Sequence, residues 1–193
     1  MTGDEDEALA GFRAGSGGPT ARFAAAQATI IRELVGQVAE LIGTDLPGGG
    51  QAPAAPEGDD LAAQLGVSQA AALPDDPVLA RLLPDAYQGD DEAAREFRRY
   101  TEQGLRSAKV AAARTVLATL PPSGGKVRLT EPEAQAWLRA LNDVRLALGV
   151  RLEITEEIQE EEMELSPEDP RTAYLWIYQW LAMLQESLIE ALP

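Results

Sequence analysis

Four long stretches with an apolar residue at every third or fourth position constrain this chain more than any other feature. Ile30, Ile31, Leu34, Val38, Leu41 and Ile42 line one face of a helix expected over 24–43. A longer helix is expected over 91–120, with the stripe Phe97, Thr101, Leu105, Ala108, Ala112, Val116 and Leu120. Its small residues Gly104, Ala108 and Ala111 permit close approach of a second helix. Trp137, Leu138, Leu141, Val144 and Leu148 mark a third helix that starts at 131 and stops at Gly149. Ala173, Trp176, Ile177, Trp180, Leu181, Leu184, Leu188 and Leu192 mark a fourth over 170–192, and both tryptophans fall within its stripe, which assigns them to the core. Faces of this kind are buried against one another, so the expected fold is mainly α: a single-domain helical bundle over 8–193, with room for a small β hairpin or sheet near the N-terminus.

Boundary signals agree with this division. Thr130 and Glu133 have capping-box spacing, and Asp169-Pro170 opens the last helix. Asp76-Pro77 and Pro84 bracket a short helix, and Asp59-Asp60 can cap another through Leu61 and Leu65. Residues 1–7 read as a disordered acidic terminus, and the Gly/Pro-rich residues 46–58 as a flexible loop. The triple glycine in that loop lacks the lysine and serine or threonine of a phosphate loop. Phe12 and Ala21-Arg22-Phe23 flank a Gly-rich turn and form either a short hairpin or a flexible arm. Val127 and Leu129 suggest a short strand. Gly17-Gly18 and Gly124-Gly125 each precede an extended piece and an amphipathic helix, a faint internal echo of two strand–helix units.

The chemistry available to this bundle is narrow. The chain has no cysteine and no histidine, which excludes disulfides, cysteine nucleophiles, histidine bases and ordinary zinc sites. No catalytic residue, metal or cofactor is therefore expected. With 32 acidic and 16 basic residues the formal charge is −16, which disfavours direct nucleic-acid binding and favours a basic partner. The acidic terminus lacks the charge and apolar run of a secretory signal, no stretch reaches the length of a membrane span, and a cytoplasmic protein is expected.

Candidate partner or polar-network residues fall in three groups. Arg95, Arg98, Arg99, Arg106, Lys109 and Arg114 form the one basic zone; Glu102 and Arg106 have favourable ion-pair spacing, and the remainder either covers the acidic run over 153–169 or meets a partner. Arg139, Asn142, Asp143 and Arg145 are the nearest approach to an active-site cluster, with Asn142 and Arg145 adjacent on a helix; without a base–nucleophile pair, a polar network between helices is expected. Tyr174 and Tyr178 lie beside the last apolar stripe, where one can edge a cleft or subunit contact.

Long blocks of the chain resemble an actinobacterial family of domains of unknown function that includes an oxidative-stress regulator. They are Asp76 to Tyr87, Glu96 to Glu102 followed by Leu105, Arg106 and Lys109, Ala136 to Leu152, and Tyr178 to Leu181 with Leu184 to Leu188. The resemblance implies an accessory regulator of redox and sulfur-metabolism genes that contacts an alternative sigma factor. Redox sensing in that family is attributed to a cysteine pair, which this chain lacks, so either the member is constitutive or the signal enters through a partner. The first reading is thus a non-catalytic protein-binding regulator, with a homodimer left open. The alternative is a small-molecule-binding helical domain with a pocket near Asn142, Arg145 and Arg99.

Overall fold

The computed structural model describes residues 11–43, 74–85, 91–154 and 169–193. Strand β1 (Thr20–Phe23) leads into α1 (Ala25–Gly43), followed by α2 (Pro77–Leu82), α3 (Asp91–Thr119), β2 (Gly125–Arg128), α4 (Glu131–Arg151) and α5 (Pro170–Glu190). The fold is mainly α with a two-stranded sheet, as the apolar spacing predicts. The acidic terminus 1–7, the loop 46–58, the helix expected around Leu61 and Leu65, and most of the acidic run lie outside the described residues.

The two strands pair antiparallel, Thr20 opposite Arg128 and Phe23 opposite Gly125, which joins the two strand–helix units of the echo. Gly17, Gly18, Gly124 and Gly125 all have positive φ. At Gly124 a Cβ would sit 2.6 Å from the Phe23 carbonyl oxygen, so glycine is required for the strands to approach. Before β1, Arg13 and Thr20 exchange backbone hydrogen bonds of 2.8 and 2.9 Å, closing a minimal hairpin rather than an arm.

Helix α4 is the hub: α1, α2, α3 and α5 all pack against it. Its Trp137 is fully buried, donates Nε1–H to Thr119 Oγ1 at 2.8 Å, and meets Phe12 edge-on and Phe23 in a stack. A satellite cluster of Ile42, Val78, Leu82, Leu83, Val110 and Ala147 seats α2. Caps follow the sequence. Asp76 accepts from the backbone of Val78 and Leu79, and the Thr130 N–H and hydroxyl both donate to Glu133 at 2.8 Å, holding that carboxyl below its ordinary pKa.

Three expectations are corrected. First, the N-terminal half of α3 is turned: Phe97 is 44% and Leu105 40% exposed, Ala108 is exposed, and Ala94, Arg98, Glu102 and Arg106 point inward. From Ala112 through Val116 to Leu120 the expected stripe is buried. Mutual charge pairing, described below, lets the polar face go in. Second, Trp176 is 66% exposed; the buried ridge of α5 includes Leu181, Leu184 and Leu188 and continues into its C-cap Ala191, with Trp180 packed partly against it. The apolar letters of α5 span a wider arc than the surface it lays on α4.

Third, Gly149 does not stop α4. It remains helical against the Tyr178 ring, and the helix ends two residues later in a Schellman motif. The Ile154 N–H donates to the Gly149 carbonyl at 2.9 Å and the Glu153 N–H to Val150 at 3.2 Å. Glu153 takes the left-handed position, φ 54°, that glycine usually fills. Relief of left-handed strain exceeds the added chain entropy, so Glu153→Gly is expected to stabilise the fold by ~0.5–1 kcal/mol in urea unfolding; a loss of stability would show that the Glu153 side chain makes a compensating contact.

Candidate functional site

Half of the basic zone, Arg98, Arg106 and Lys109, is consumed inside the fold, while Arg95, Arg99 and Arg114 are exposed. Glu102, with a 4% exposed side chain, accepts from Arg98 NH1 through one oxygen and from Arg106 Nε through the other, each at 2.8 Å. Arg98 also reaches Asp85 Oδ1 at 2.6 Å and the Leu83 carbonyl at 3.0 Å, and Arg106 NH1 donates to the Ile42 carbonyl at 2.9 Å. The trio therefore satisfies chain ends left open by α1 and α2 and straps both to α3. Burial works against the Arg98 charge, but Asp85 and Glu102 outweigh it and hold the guanidinium above its ordinary pKa. Lys109 donates to Asp143 on α4 at 2.5 Å. Burial raises the Asp143 pKa, partly offset by that ammonium. These cations pair with Asp85, Glu102 and Asp143 within the described residues. Arg99 and Arg139 are exposed.

Asn142 and Arg145 come together at the edge of α4 as their spacing implies, but they do not bond to each other. Arg145 NH1 donates to Gln185 Oε1 of α5 at 2.8 Å, and the guanidinium lies 5.2 Å over the Tyr178 ring. Gln185 is itself fixed by donating to the Leu138 carbonyl at 3.3 Å. A pocket of about 410 Å³ opens here, walled by Asn142, Arg145, Tyr178, Arg81, Glu153 and the apolar Leu146, Val150 and Ile154. Arg99, on α3, is not part of it. Tyr174 edges a separate, more apolar cleft of about 470 Å³ between α1, α4 and α5. Among the described residues no group of His, Cys, Asp or Glu is placed to hold a metal ion, and no helix is long and apolar enough to cross a membrane.

A third feature is apolar and exposed. Trp176, Trp180 and Met183 recur at four- and three-residue spacing along one side of α5, and Trp176 and Met183 are 66% and 60% exposed. Glu186 and Glu190, both exposed, continue the same side. Apolar spacing alone turns this surface inward, because the apolar residues of α5 extend past its buried ridge. Spacing along α4 does not reveal Arg81, which reaches the pocket from α2, Gln185, which holds Arg145 from α5, or Glu153, which lines the pocket just past the end of α4.

The described residues thus form a helical scaffold that carries a pocket on one flank of α5 and an apolar, acid-edged face on another. The chain belongs to a family described as a domain of unknown function, DUF2017, whose model matches residues 9–192. It is similar to the oxidative stress regulator AosR of Mycobacterium tuberculosis and to that of Mycobacterium bovis, each 42% identical over 129 residues, 60% of this chain and 58% of the relative. A Mycobacterium leprae relative is 43% identical over 132 residues, 62% of this chain and 59% of its own. The chain thus spans less than two thirds of the length of these curated relatives. No solved structure matches it.

Proposed function

We propose that this protein is a non-catalytic accessory regulator in oxidative-stress control that acts by binding another protein through the Trp176–Trp180–Met183 face of α5. The observation that carries this reading is the exposure of two large apolar side chains, Trp176 and Met183, on a helix whose opposite ridge is fully packed. Tryptophan is the residue most often found at the energetic centre of protein contacts. Glu186 and Glu190 beside it, and a net charge of −16, suit a partner with a basic surface. The relatives' name supports a regulatory role under oxidative stress. The proposed partner is an alternative sigma factor, whose DNA-binding faces are basic, and the setting is cytoplasmic control of redox and sulfur-metabolism genes.

The test is binding of the purified chain to purified alternative sigma factors of the same organism by calorimetry. Binding is expected at low-micromolar Kd, weakening as salt rises and screens the charges over ~8–10 Å. A thiol reductant is expected to leave this chain's contribution unchanged, because it has no cysteine. Absence of binding to every such factor overturns the sigma-factor assignment.

A further inference from the structure

The inward-facing cations of α3 each have a carboxylate: Arg98 and Arg106 share Glu102, and Lys109 has Asp143. Arg145 departs from this pattern. Among the described residues its one hydrogen bond is to the neutral amide of Gln185, its guanidinium rests on the Tyr178 ring, and its Nε is buried without a partner. Arg81 faces the same pocket from α2 and has no ion-pair partner among the described residues. In a chain with twice as many acids as bases, two guanidinium groups on one pocket wall without a paired carboxylate form a local exception to the charge balance.

The rest of the pocket fits an organic anion. Gln185 and Tyr178 hold Arg145 in one orientation, and a fixed planar fork suits a carboxylate better than a mobile ammonium does. Asn142 offers an exposed amide at the rim. Leu146, Val150 and Ile154 supply an apolar wall. The volume, about 410 Å³, lies in the range of small-molecule sites and exceeds what one protein side chain would fill. Glu153 is the one acid on the wall, so two arginines and one glutamate leave a charge of +1, which a single carboxylate neutralises. Glu153 is also the residue that stands in the left-handed conformation, and non-glycine residues held there cluster at ligand sites.

We propose that the pocket between the C-terminal half of α4, α2 and Tyr178 of α5 binds a small monocarboxylate, its head on Arg145 and Arg81 and its apolar body against Leu146, Val150 and Ile154. This is an effector site on the opposite flank of α5 from the Trp176 face, and it does not rest on the sigma-factor reading. The alternative role for Arg145 is a strut between α4 and α5 with an empty pocket.

The experiment is a titration of the full chain with hexanoate and, in parallel, the isosteric uncharged hexanamide, followed by protein NMR and calorimetry at low salt. Hexanoate is expected to saturate at millimolar concentration or below and to shift resonances of Asn142, Arg145 and Tyr178, with hexanamide at least tenfold weaker. Arg81→Gln, at an exposed position, is expected to weaken hexanoate about tenfold with Tm unchanged. Arg145→Lys, which keeps the charge and loses the planar fork, is expected to weaken it by a similar factor. Equal binding of acid and amide, or hexanoate shifts that survive both substitutions, overturns the proposal. So does the absence of saturable binding by the wild-type chain.

Discussion

Glu102→Gln is expected to destabilise the fold by ~3–5 kcal/mol, the cost of breaking a buried ion pair from one side. The carboxylate is an acceptor that Arg98 and Arg106 share, and its side chain is 4% exposed. Glutamine keeps the shape but presents an amide N–H₂ to one of the two guanidiniums, so one hydrogen bond becomes a donor–donor clash and two positive charges lose their common counter-ion. Both arginines also hold backbone carbonyls, of Leu83 and Ile42, so the loss propagates to the ends of α2 and α1. For a chain of 193 residues this corresponds to a fall in Tm of roughly 10 °C. Replacing all three charged residues with apolar ones would not restore stability, because the Leu83 and Ile42 carbonyls would then be buried unpaired. A shift below about 1 kcal/mol for Glu102→Gln would mean that water reaches the trio and that its burial does not matter energetically.

This network also shows where sequence reading stops. Along α1, α4 and the C-terminal half of α3, the apolar letters mark the buried side because burial there is a matter of hydrocarbon. Ile31, Ile42, Trp137, Leu141, Val116 and Leu120 are all inside, with Leu34 and Val38 half-buried beside them. In the first half of α3 two candidate stripes run in parallel at the same period: Phe97, Thr101, Leu105 and Arg98, Glu102, Arg106. A hydrophobicity pattern selects the first. The structure selects the second, because base–acid–base at four-residue spacing is self-neutralising and two helix ends nearby need donors. The Glu102–Arg106 spacing is visible in the sequence; the Asp85, Leu83 and Ile42 partners come from distant positions and are not. The candidate site divides in the same way. Asn142 and Arg145 are adjacent by helical arithmetic alone, whereas Arg81 and Gln185 complete their surroundings only through the packing of α2 and α5 on α4. The end of α4 was hidden for another reason: a glycine at 149 imitates a stop, while the actual left-handed residue is a glutamate.

Trp176→Ala is expected to weaken partner binding at least about 30-fold while leaving the fold intact. A tryptophan at the centre of a protein contact contributes at least ~2 kcal/mol, about a 30-fold loss of affinity. Being 66% exposed, Trp176 leaves no cavity when truncated, and a surface change of this kind moves stability by no more than ~0.5 kcal/mol. Leu184→Ala supplies the contrast. That side chain is buried in the ridge against α4, so its truncation is expected to cost ~2–5 kcal/mol of stability. The pair of variants separates the two faces of one helix. If Trp176→Ala lowers Tm by several degrees, the indole is covered in solution and the residue belongs to the interior after all. If Tm holds and affinity also holds, the partner docks elsewhere, and the exposed Tyr100 and Leu105 on α3 become the next apolar surface to test. Raising salt discriminates further: loss of the indole removes a contact that screening does not touch, whereas Glu186→Gln and Glu190→Gln are expected to flatten the salt dependence, because their part in binding a basic partner is electrostatic.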